Sequence, residues 1–65
     1  MSVALAQAAV VKAEAAYRGY ETAMLAFRVG LLRRDYKVQE AERECAVERL
    51  GEYLDQLMIA NRQEG

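Results

Sequence analysis

From Val3 the chain places apolar residues at Val3, Ala6, Val10, Ala13, Tyr17, Tyr20, Met24, Phe27 and Leu31, in alternating steps of three and four. That spacing holds one stripe of a helix against a neighbour, so it predicts an amphipathic helix over about residues 2–29. A second stripe emerges at Val47, Leu50, Leu54 and Leu57, whose upstream equivalents are Tyr36, Glu40 and Arg43. The two stripes are out of phase. Continued from Leu31, the first register would pass through Arg34, Val38, Ala41 and Cys45, so a bend is expected rather than one long helix.

Between the stripes lies VGLLRRD, Val29 to Asp35. Gly30 offers a left-handed C-cap, and Asp35 offers an acceptor for the first free amides of a second helix. The turn is therefore placed near residues 30–34 and the second helix at about 35–61. The fold class is all-α, a two-helix antiparallel hairpin forming a single domain over residues 1–65. Folding back sets the small half of the first helix beside Leu50, Leu54 and Leu57. It sets Tyr17, Tyr20, Met24 and Phe27 beside the lean start of the second, so large meets small at both ends.

With Val3 at heptad position a, the g positions are Ala9, Ala16, Ala23 and Gly30, all small. A further small strip runs through Ala8, Ala15, Gly19 and Ala26. Small residues on successive turns let helix axes approach to the short end of the ~8–10 Å range. Val11, Leu25 and Leu32 lie off the seam, and Val38, Ala41, Cys45 and Ile59 lie opposite Leu50 and Leu57. One antiparallel pair cannot bury both stripes of both helices. The expectation is a homodimer, a four-helix bundle with its seam at Val3, Ala6, Val10, Ala13, Tyr17, Tyr20, Met24, Phe27, Val47, Leu50, Leu54 and Leu57. Apolar surface near Leu25 or Ile59 is left for a different protein.

Length and composition sharpen this picture. A 65-residue chain buries a thin core and usually needs a staple or a partner. With one cysteine and no histidine it has no internal disulfide and none of the usual zinc ligand sets. The 54% apolar content excludes a disordered chain. The net charge of −1 argues against a general affinity for nucleic acid or anionic membrane. Lys12, Glu14, Arg18 and Glu21 interrupt the alanine-rich start well short of the ~20 apolar residues of a membrane span. No basic n-region precedes that start, so a soluble, cytoplasmic protein is expected, and a lone thiol fits a reducing compartment.

No Ser/His/Asp set, phosphate loop or His/Cys pair is present, so neither catalysis nor a metal or cofactor is expected. Glu40, Glu44, Glu48 and Glu52 follow one another at steps of four and lead to Asp55. From Glu40 to Asp55 there are six acids and two arginines, a local charge of −4. From Arg28 to Lys37 there are four bases and one acid, or +3. The acidic ridge suits a basic groove on a partner, and with Val11, Leu25, Leu32 and Ile59 it makes up the candidate partner-binding set. Arg28, Arg33, Arg34 and Lys37 are the candidates for phosphate contacts.

Two helices of similar length around a short turn, with alanines in the heptad seam, resemble the Rop-like helical-hairpin dimers that regulate plasmid copy number. The plan is also similar to small phage-encoded helical hairpins that bind and disable host regulators as anti-activators. The first resemblance implies binding to paired RNA loops through one bundle face, and the second implies occlusion of a protein surface. The expected function is a non-enzymatic protein-interaction module, a small regulator or inhibitor that occludes a surface of a larger protein such as a transcriptional regulator. An RNA- or DNA-binding hairpin using the basic turn is one alternative, and a structural subunit or co-chaperone stable only with its partner is the other.

Overall fold

The computed structural model describes residues 3–64, with side chains as far as Arg62; the expected helix start at residue 2 lies outside them. Helix α1 spans Val3–Arg33 and helix α2 spans Tyr36–Glu64. The described residues contain no strand. The two helices fold back on one another as an antiparallel hairpin, a rod of 49 × 12 × 11 Å.

The link is tighter than the sequence suggested, and a different residue turns the chain. α1 continues through Gly30 to Arg33, and Arg34 takes the left-handed conformation with φ 56°. The Asp35 amide donates to the Gly30 carbonyl at 2.9 Å and the Arg34 amide to the Leu31 carbonyl at 3.2 Å. These are the paired bonds of a Schellman cap, which normally places glycine at the left-handed position. Asp35 then opens α2. Its carboxylate accepts from the Val38 amide at 3.2 Å, and its own carbonyl accepts from the Gln39 amide at 3.0 Å. One residue thus helps to close one helix and caps the next.

Gly30 has another task. A Cβ built there would lie 3.0 Å from Val38 Cγ1 and 3.2 Å from the backbone nitrogen of Gln39. Its carbonyl also accepts from Gln39 Nε2 at 3.3 Å. The missing side chain lets α2 pass directly against the backbone of α1.

That close approach extends along the seam. Among the described residues the buried apolar side chains are all alanine: Ala6, Ala9, Ala13, Ala16 and Ala23 of α1, with Ala46 and Ala60 of α2. Gly30 faces Gln39, a Cβ at Gly19 would stand 3.2 Å from Arg49 Cδ, and the Tyr17 and Tyr53 rings are 5.1 Å apart. This register sets Ala9 level with Ala60, Ala16 with Tyr53 and Ala23 with Ala46.

The seam is therefore rotated by about one heptad position from the one the large residues suggested. Helices meet on the d and g positions, not on a and d. Ala6 and Ala13 are buried, and Tyr20, Met24 and Phe27 are half-buried. Val3, Val10, Tyr17, Val47, Leu50, Leu54 and Leu57 are exposed in the single chain. Of the leucines expected beside the small half of α1, Leu50 and Leu57 lie at the edge of the seam, 37% and 38% exposed, and Leu54 is half uncovered. Helix α2 turns inward Gln39, Glu42, Ala46, Tyr53, Gln56 and Ala60, which are buried or half-buried. The physical reason is the alanine strip. Small side chains bring the backbones close, gain dispersion contact along the whole rod and lose no rotamer entropy. Large residues at a would hold the axes apart.

Candidate protein-interaction surface

Rotating the seam onto alanine displaces the large residues to defined places around the rod. At about 100° per residue, position a of α1 lies roughly 90° from the middle of the seam. Leu50 and Leu57 stand at the corresponding angle on α2, and Val47 and Leu54 lie just beyond them. Because the helices are antiparallel, both sets fall on the same side of the hairpin. The contact between the Tyr17 and Tyr53 rings joins the two helices on this side, and Tyr20 lies 5.8 Å from Tyr17 between ring centroids. The result is an apolar face built on Val10, Tyr17, Leu50, Leu54 and Leu57.

A second apolar line follows the back of α1, opposite the seam. Val11, Leu25 and Leu32 recur here at heptad position b, with 65%, 61% and 85% of their surface exposed. Arg18 fills the fourth place in the line. Leu25 also borders a shallow groove lined by Tyr17, Tyr20, Glu21, Met24 and Arg28, which connects the back of α1 to the apolar face. Ile59 is exposed on the far flank of α2. The structure does not bring it next to Leu25.

The four glutamates do not form a straight ridge. Each step of four residues advances about 40° around a helix, so Glu40, Glu44, Glu48 and Glu52 wind from the apolar face across the back of α2. All four are exposed. Glu52 accepts from Arg49 Nη1 at 3.4 Å, an ion pair on the surface that contributes little. Glu42, which falls outside the spacing of four, is the half-buried glutamate of the seam. Its signal in the sequence is its heptad phase with Arg49 and Gln56.

Arg28, Arg33, Arg34 and Lys37 are all exposed. Arg33, Arg34 and Lys37 gather at the turn, whereas Arg28 lies one turn of helix back, beside Leu25 and Met24. Near it, Phe27, Tyr36, Gln39, Glu40 and Arg43 line a groove between the two helices. Cys45 is a free, half-buried thiol. Among the described residues no group of acidic, cysteine or histidine side chains is placed to hold a metal ion, and no helix is long and apolar enough to cross a membrane.

Comparison with protein-family models, with curated proteins and with solved structures returns no match. The functional reading rests on the geometry alone.

Proposed function

We propose that the chain is a non-enzymatic protein-interaction module, a small regulator or inhibitor that occludes a surface of a larger protein. The observation that carries this reading is the distribution of large apolar side chains. Outside the seam, Val11, Leu25 and Leu32 stand exposed along the back of α1. Isolated surface leucines are common, but Val11, Leu25 and Leu32 share one heptad position, interrupted by Arg18, and Leu25 borders a tyrosine-lined groove, which is the layout of a helix-in-groove ligand. The winding glutamates on α2 suit a partner with basic rims, which would speed encounter and exclude acidic competitors.

The test uses the immobilised chain against a lysate of its own source cells, with the retained proteins identified by mass spectrometry. Leu25→Asp and the double change Glu44→Lys with Glu48→Lys serve as comparisons, their helicity checked by circular dichroism. A protein retained in stoichiometric amount by the parent chain and lost from both variants is the expected result. Equal retention by all three chains would refute the reading.

A further inference from the structure

The apolar face leaves the single chain with too much surface. Its accessible area is 5138 Å² for 7.3 kDa, where a compact monomer of that mass exposes about 4,200 Å². The excess of roughly 1,000 Å² is close to the ~800 Å² that each partner contributes to a standard stable interface. No large side chain is fully buried among the described residues, so a neighbour seated on the apolar face would supply core that the hairpin lacks.

We propose that this neighbour is a second copy of the chain, stacked on the face that carries Val10, Tyr17, Leu50, Leu54 and Leu57. The twofold axis runs parallel to the helices, both turns lie at the same end, and each α1 lies antiparallel on the α2 of the other copy. This goes beyond the regulatory reading and does not depend on it. The charges flanking the face select the arrangement. In the hairpin register Arg28 and Glu40 stand at about the same height on the outer sides of the two helices, and they form no ion pair within the chain. With the turns together, Arg28 of each copy lies along Glu40 of the other, at two symmetric places. The apolar levels also meet their own kind, Val10 over Leu57 and Tyr17 over Leu50.

With the turns at opposite ends, α1 would lie on α1. Glu14 and Glu21 would then run along the same two residues of the second copy, and like charges so placed repel. The cost of the preferred arrangement is two basic turns at one end. Those side chains are exposed, and salt screens such charges beyond about 8 Å at physiological ionic strength.

Sedimentation equilibrium on the parent chain, on Arg28→Glu, on Glu40→Arg and on an equimolar mixture of the two variants tests the proposal. The parent chain is expected to be a dimer at micromolar concentration. Each variant alone places like charges at both contacts and should dimerise about tenfold more weakly. The mixture restores opposite charges at both contacts and should recover the parent affinity as a heterodimer. A monomeric parent chain, its face left to a foreign helix, overturns the proposal. So does a mixture no tighter than the variants alone.

Discussion

Replacing the three internal glycines one at a time by alanine distinguishes close helix approach from ordinary helix packing. In a helix interior this change is worth about 1 kcal/mol in favour of alanine, because glycine has more backbone freedom to lose. At Gly51 a Cβ meets nothing within 4 Å, so the full gain is expected. For a domain of this size that raises the melting temperature by about 4–8 °C. At Gly19 the nearest atoms are Cδ and Nε of Arg49, both 3.2 Å away. They belong to a flexible, half-exposed side chain that swings aside, so most of the gain survives.

At Gly30 the same Cβ meets Val38 Cγ1 at 3.0 Å and the Gln39 backbone nitrogen at 3.2 Å. That nitrogen is tied to the Asp35 carbonyl at 3.0 Å, and the Gln39 side chain is tied to the Gly30 carbonyl at 3.3 Å. Neither contact has a flexible end to give way. Overpacking of this kind costs about 1–3 kcal/mol, which offsets the propensity gain and leaves Gly30→Ala between neutral and about 2 kcal/mol destabilising. Thermal and urea unfolding followed at 222 nm, all variants at one concentration, reads the order. Equal stabilisation at Gly30 and Gly51 would refute the close approach at the turn end.

Three further substitutions probe the same framework. Ala13, only 1% exposed, tolerates no bulk, so Ala13→Leu should destabilise by about 1–3 kcal/mol in urea unfolding; an unchanged midpoint would mean that the seam lies elsewhere. Arg34→Gly relieves the left-handed strain at the C-cap and should stabilise by about 1 kcal/mol, seen as a higher melting temperature. Asp35→Ala removes the acceptor for the Val38 amide and should cost about 1 kcal/mol, with early fraying of α2 visible in amide exchange at Val38 and Gln39.

Helix content and the bend were legible because they depend on local patterns: the period from Val3 to Leu31, the phase slip beyond it, and Asp35 as an acceptor before a helical run. The turn residue was not legible. Glycine is the usual left-handed cap, and only the tertiary approach of Gln39 shows that Gly30 is needed inside the helix while Arg34 accepts the strain. The seam within the chain is displaced from the large residues for a related reason. Tyr17, Leu50, Leu54 and Leu57 dominate any apolar pattern, yet the single chain pairs through its smallest residues. Ala9, Ala16, Ala23 and Gly30 showed the period and the smallness. Their precedence over the a positions depended on what α2 offers, and Gln39, Glu42 and Gln56 carry no hydrophobic signal.

The claim on which the fold and both interaction surfaces depend is that alanine forms the seam within the chain and leaves the leucine face outside it. A carbon-edited NOE spectrum of labelled chain diluted into unlabelled chain, so that only contacts within one molecule are seen, tests it most directly. Methyl cross-peaks between Ala23 and Ala46 and between Ala9 and Ala60 are the predicted result. Their absence, with Val10 and Leu57 in contact across the middle of the hairpin instead, would contradict the account.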